Sequence, residues 1–138
     1  MGKKATATYR VFISHGWTDK WVAEQIAARI QAAGAETFLD VFDIEKGDDF
    51  EERIFGEMPS CKELVALLTP WSVDRNWVWV EIGAARALGL RVVVVVYGLT
   101  LSDLENDRGG KVFLGAKNIV EINDLDAYLA QISKRVAK

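Results

Sequence analysis

The sequence predicts an α/β fold: a doubly wound, five-stranded parallel sheet with helices on both faces. Three observations carry that prediction. Short β-rich runs alternate with helical repeats along the chain. Two of those runs, Leu64–Leu68 and Val92–Val96, are apolar at every position, as strands covered on both faces must be. The length of 138 residues suits one such domain and is too short for two.

Tyr9-Arg10-Val11-Phe12-Ile13 is the first strand, ending at Ser14-His15-Gly16. From Asp19, the residues Trp21, Val22, Ile26, Ala27 and Ile30 recur at helical spacing, and Gly34 closes that helix. Glu36 to Leu39 is the second strand, stopped by the acidic stretch DVFDIEKGDD. Asp48-x-x-Glu51 resembles a capping box and starts a helix through Arg53 and Ile54 that breaks near Pro59. Leu64 to Leu68 is the third strand and the central one. NWVWVEIGAARALG, residues 76–89, is the helix after it, and Arg91 to Tyr97, with five consecutive valines, is the fourth strand. Ser102-x-x-Glu105 caps a short helical turn before the Gly109-Gly110 loop. Asn118 to Ile122 is the fifth strand, and Leu125 to Val136 a closing amphipathic helix. Residues 1–7 form a flexible N-terminal segment and residues 8–138 the domain.

Composition excludes several classes. Seventeen Lys and Arg against twenty Asp and Glu give a net charge of −3, which argues against a nucleic-acid partner. One cysteine, Cys61, and one histidine, His15, exclude an internal disulfide and a Cys/His metal cluster, and fit a reducing cytosolic compartment. The longest apolar run, Val92 to Tyr97, is far short of the roughly 20 residues of a spanning helix, so no membrane segment is expected. Met1-Gly2-Lys3-Lys4-Ala5-Thr6 meets the loose N-myristoylation pattern, for which a flexible basic start is the plainer account.

In doubly wound sheets ligands bind beyond the carboxyl ends of the strands, where strand order reverses. For five strands that places a crevice between the first and third. His15-Gly16-Trp17-Thr18 and Thr69 to Asn76 are the loops there. Trp17, Trp71, Trp77, His15 and Glu81 all fall on this edge, which makes it the leading candidate site. At about 100° per residue, Val78, Ile82, Ala85 and Gly89 share the core stripe of the helix, while Trp79, Gly83 and Arg86 meet solvent. Trp77 and Glu81, at i and i+4, sit together on the flank, with Glu81 on a partly buried rim. An indole beside a carboxylate suits a flat or cationic ring. The competing reading makes Glu81 a helix-N-terminal carboxylate that favours the macrodipole. A receiver-type acidic site, a phosphate loop and a Ser-His pair find no support: Thr69-Pro70 follows the third strand, Gly109-Gly110-Lys111 lacks the phosphate-loop spacing, and strand neighbours point apart.

Three motifs in order resemble the TIR domain family, in its bacterial form. YRVFISHGWTDK is similar to the first box, TFLDVFDIEKGDDFEERI to the second strand and BB loop, and LVALLTPWSVDRNWVWVEIGAA to the third strand and following helix. The resemblance spans roughly residues 8–137 and implies a flavodoxin-like fold. It implies one of two functions, a TIR–TIR interaction module or an enzyme that cleaves NAD+ at the nicotinamide–ribose bond. Enzymatic members carry a catalytic glutamate in a W-x-x-x-E arrangement, which Trp77-x-x-x-Glu81 matches. The resemblance then makes Glu81 catalytic and Trp77 a substrate-packing residue. His15, Gly16 and Trp17 stand where relatives carry Tyr and basic residues, as substrate contacts or as loop structure. Trp71 is a crevice wall or loop packing, Asp40 and Asp43 are the acidic BB-loop entry or loop caps, and Phe50 is a BB-loop aromatic or a helix anchor. Arg75 is a phosphate contact or a surface charge.

A single carboxylate suits this chemistry. Glycosidases use two because one must protonate a poor leaving group, whereas a pyridinium departs as neutral nicotinamide. What remains is to hold the ribose and stabilise the oxocarbenium charge. Attack by water gives ADP-ribose; attack from within the molecule gives a cyclic product. The resemblance implies no separate cofactor or metal, activation by self-association, and a sensor domain or other TIR protein as partner. A deoxyribosyltransferase-like enzyme acting on nucleosides is the remaining alternative.

Overall fold

Period-two alternation sorts the strand residues onto two faces, and the chain builds a helical layer on each. The structure is a computed structural model that describes residues 8–40, 55–74, 76–105 and 118–138. Its strands are β1 (Arg10–Ser14), β2 (Glu36–Asp40), β3 (Glu63–Leu68), β4 (Arg91–Val96) and β5 (Ile119–Glu121). The helices among the described residues include α1 (Lys20–Ala32), α2 (Asn76–Ala87), α3 (Leu101–Glu105) and α4 (Leu125–Ala137). All strand pairs are parallel, in the order β2-β1-β3-β4-β5. That is the doubly wound, flavodoxin-like order, which reverses between β1 and β3 as expected.

Val11, Ile13, Val65, Leu67, Val93 and Val95 face one side and pack under α1 and α4. Phe12, Leu64, Ala66, Leu68, Val92, Val94 and Val96 face the other, against Val78, Ile82 and Ala85 of α2 and Leu104 of α3. Every residue of β3 is buried, as its continuous apolar run predicts for a central strand.

Both long helices before β4 end on glycine. Gly34 (φ +110°) and Gly89 (φ +84°) are left-handed, and each closes a pair of bonds back into its helix. Leu90 N–H donates to the Ala85 carbonyl and Gly89 N–H to that of Arg86, at 2.9 and 3.1 Å. Gly89 is therefore an exposed stop signal beyond α2, which corrects its expected place in the core stripe. The cap before α3 also differs from expectation. Thr100 and Asp103 exchange backbone-to-side-chain bonds of 2.9 and 3.1 Å, so the reciprocal box starts two residues earlier than Ser102 and Glu105. The expected cap at Asp48 and Glu51, its helix through Arg53 and Ile54, the segment 1–7 and the Gly109-Gly110 loop lie outside the described residues.

A polar cluster sits at the amino end of the sheet. Glu63, the first residue of β3, is fully buried and accepts hydrogen bonds from Tyr9, from Tyr128 Oη at 2.8 Å and from Arg135 Nε at 2.5 Å. It ties the residue before β1, the central strand and the last helix together. Among the described residues no helix is long and apolar enough to cross a membrane.

Candidate active site at the carboxyl edge of the sheet

Strand β1 carries its alternation to its last residue. Ser14 has the parity of Phe12, so its hydroxyl emerges on the α2 side, where it donates a hydrogen bond to Glu81 Oε1. Ser14 and Glu81 are both fully buried. This corrects the partly buried rim expected for Glu81, and helical phase supplies the reason. Glu81 lies about 60° from Val78, the core residue one turn before it, so it tilts inward onto the end of β1. It is also the sixth residue of α2, past the first turn that the macrodipole favours. Its depth and its position do not fit a helix-N-terminal carboxylate that serves the macrodipole alone.

Trp77, one turn earlier, is half-buried against the same core, and its Nε1 donates to the His15 carbonyl at 3.4 Å. Trp79 differs from expectation. It is half-buried and donates Nε1 to the Val73 carbonyl at 2.7 Å, pinning the turn before α2. Lying about 100° from Val78, it is on the flank of the stripe, and a large indole reaches back to the core from there.

His15 is 2% exposed, with Nδ1 2.7 Å from the Gly16 carbonyl, a geometry that places the proton on Nδ1. Gly16 is buried, and a Cβ there would come within 3.2 Å of Ser72 Cβ. That close approach joins the loops after β1 and β3, and a hydrogen-bonded clasp completes it. Thr69 Oγ1 donates to Asp19 Oδ2 at 2.6 Å, while Ser72 Oγ accepts from the Thr69 amide at 2.9 Å and donates to the Leu67 carbonyl at 3.0 Å. Asp19 is thus tied to the β3 loop and makes no side-chain cap on α1.

The structure therefore brings Ser14, His15, Trp77 and Glu81 into one chain of contacts, with Gly16 in the adjoining clasp. Asp40 ends β2 in register with Ser14, so its backbone belongs to the same edge. Trp17 and Trp71 are mostly exposed, at 58% and 63%, and Lys20 Nζ lies 5.3 Å from the Trp17 ring centroid. Asp43, Phe50 and Arg75 lie outside the described residues. Sequence reasoning missed Ser14 as a partner of Glu81 and missed the Asp19–Thr69–Ser72 clasp. The parity of Ser14 with Phe12 was the available signal for the first; nothing in the spacing announces the second. Surface grooves of about 440 Å³ beside Gly89 and Asn118, and about 490 Å³ between α1 and α4, are both lined by other residues.

The TIR domain family matches residues 11–133 of this chain. The chain is a TIR domain. Among curated relatives, it is 30% identical over 105 residues to the probable 2' cyclic ADP-D-ribose synthase of Brachypodium distachyon, covering 75% of this chain and 47% of that protein. It is 32% identical over 68 residues to an NAD(+) hydrolase of Paracoccus denitrificans, covering 49% and 23%. The chain thus spans about half or less of the length of these relatives. Among solved structures, the TIR domain of a Toll-related receptor from Hydra magnipapillata superposes with a TM-score of 0.68 at 17% identity, covering 95% of this TIR domain and all of that chain. The TIR domains of the activated Roq1 resistosome give 0.59 at 17%, covering 94% and 81%. These likenesses concern the fold.

Proposed function

We propose that this TIR domain cleaves the nicotinamide–ribose bond of NAD+, with Glu81 as the catalytic residue and no separate cofactor. The observation that carries the reading is Glu81 itself: a buried carboxylate in the second turn of α2, bonded to Ser14 at the carboxyl edge of the sheet, one turn from Trp77. The names of the two curated relatives support the same substrate class.

The cationic nicotinamide leaves as a neutral base, taking the electron pair of the glycosidic bond, so no general acid is required. Glu81 stabilises the cationic ribose left behind, and water or a second nucleophile within the molecule completes the reaction to ADP-ribose or a cyclic product. Burial strengthens that electrostatic effect, because a charge in a water-poor site is weakly screened. Burial also means that substrate reaches Glu81 only after Trp77 and the loop after β1 shift. Self-association through TIR–TIR contacts drives that shift in this reading, with a sensor domain or a second TIR protein supplying the trigger in a cytoplasmic defence or signalling pathway.

The exposed Trp17, Trp21 and Trp71 favour a second reading, a TIR interaction module without catalysis. Nicotinamide release from NAD+ at high protein concentration separates the two, with Glu81→Gln as the control. Release by the native chain and none by the variant supports the enzyme; none from either leaves the module, and equal release by both removes Glu81 from the reaction. Release from a deoxynucleoside in place of NAD+ would point to the transferase chemistry instead.

A further inference from the structure

The Ser14–Glu81 bond joins residues 67 positions apart, and both side chains are fully buried. Ser14, the last residue of β1, is held on both sides. It pairs with Asp40 of β2 on one side and with Ala66 of β3 on the other, so its Cα is fixed from both directions. A hydroxyl on so short and constrained a side chain is a donor with little freedom to wander. A neutral donor also stabilises a buried carboxylate without cancelling its charge, and that charge is what a developing oxocarbenium ion needs. At the other end of the sheet the chain uses a guanidinium for its buried glutamate, Glu63.

On the reading of Glu81 given above, we propose that Ser14 is a positioning residue of the NAD+ reaction: its hydroxyl keeps the Glu81 carboxylate ionised and in one orientation beside the bound ribose. Ser14 touches the catalytic group and not the reacting atoms, so its effect falls on the turnover step more than on substrate affinity.

The test uses the full chain under assembled conditions and follows nicotinamide release against pH for the native protein, Ser14→Ala and Ser14→Thr. Loss of a hydrogen bond to a charged group predicts about a tenfold lower kcat for Ser14→Ala with KM little changed. It also predicts that the acid limb of kcat/KM moves up by about one pH unit, because a buried carboxylate that has lost a hydrogen-bond donor holds its proton more tightly. Ser14→Thr, which keeps the hydroxyl, restores both. Among the described residues, the other titratable groups around this edge, His15 in the loop after β1, Asp19 before α1 and Asp40 at the end of β2, are present in all three proteins and drop out of the comparison. Should Ser14→Ala unfold at the assay temperature, the near-isosteric weak donor in Ser14→Cys carries the same pH comparison. An unchanged kcat and pH profile in Ser14→Ala overturns the proposal. So does a faster variant, which would make Ser14 a latch, or a slower one with an unshifted profile and no rescue by threonine. A native chain no more active than Glu81→Gln overturns the enzyme reading and this role with it, and is told apart because every other failure requires the native chain to turn over.

Discussion

Among the described residues of this TIR domain two glutamates are fully buried, at opposite ends of the parallel sheet. Glu63 opens β3 at the amino end, and Arg135 and the phenols of Tyr9 and Tyr128 converge on it. Glu81 lies at the carboxyl end and is met by a serine hydroxyl at the tip of β1. The first arrangement spans a strand, a helix and the approach to β1, and braces them. The second sits where strand order reverses and the loops converge, which is the ligand-binding end of doubly wound sheets. Burial alone therefore does not identify a functional carboxylate. What separates the two is the end of the sheet, and the proposed function places the reaction at the carboxyl end, where ligands bind in doubly wound sheets.

Replacing each glutamate's interactions should break different properties. The largest expected effect is Glu81→Gln, which keeps the shape and removes the charge: NAD+ cleavage falls by about 10³-fold, the scale of losing one preorganised electrostatic contact, with the unfolding temperature nearly unchanged. Arg135→Met does the reverse. It strands a buried charge on Glu63 and lowers stability by about 3 kcal/mol, the lower end for a broken buried pair because Arg135 keeps 20% of its side chain exposed. Chemical denaturation measures the loss, while nicotinamide release per folded molecule stays at the native rate. Tyr128→Phe removes one hydrogen bond to the same carboxylate and costs about 1.5–2 kcal/mol by the same measurement. A loss of activity in either amino-end variant at full folding would erase the division between the two ends.

The fold was legible because its signals are periodic and redundant. β3 and β4 announce themselves by unbroken apolar runs, α1 by its repeat and by Gly34, and β1–β3 adjacency follows from the alternation. The site was legible in part. Helical phase put Trp77 and Glu81 on one side of α2, and family resemblance drew attention to the carboxylate. The depth of Glu81 was misjudged because helical phase describes one helix, and the space that closes over Glu81 belongs to β1. Trp79 was placed outward because angle alone ignores the reach of an indole. Glu63 escaped notice altogether: a charged residue before an apolar run reads as the end of a strand, and its partners lie 54 to 72 positions away. Long-range polar pairings leave no periodic trace.

The smallest effect concerns pH and refines the amino-end brace. Burial and the neighbouring Glu63 push the Tyr9 phenol from an ordinary 10.0 up to about 12, and the same causes raise Tyr128 further. A proton held more tightly in the folded than in the unfolded chain stabilises the fold wherever the unfolded phenol is still protonated. That contribution is complete below about pH 10, declines as pH rises beyond it, and is gone once the folded phenol ionises. Stability should therefore be level from neutral pH toward 10 and fall between about pH 10 and 12, beyond what lysine deprotonation alone produces. Tyr9→Phe should soften that alkaline decline while leaving the curve below pH 9 parallel to the native one. Because Tyr9 is only half-buried, solvent screens its share, and Tyr128→Phe should soften the decline more. Denaturant midpoints from pH 7 to 12 for the native chain and both variants decide the matter. Identical slopes in all three would mean that the phenols donate to Glu63 without coupling its charge to the stability of the fold.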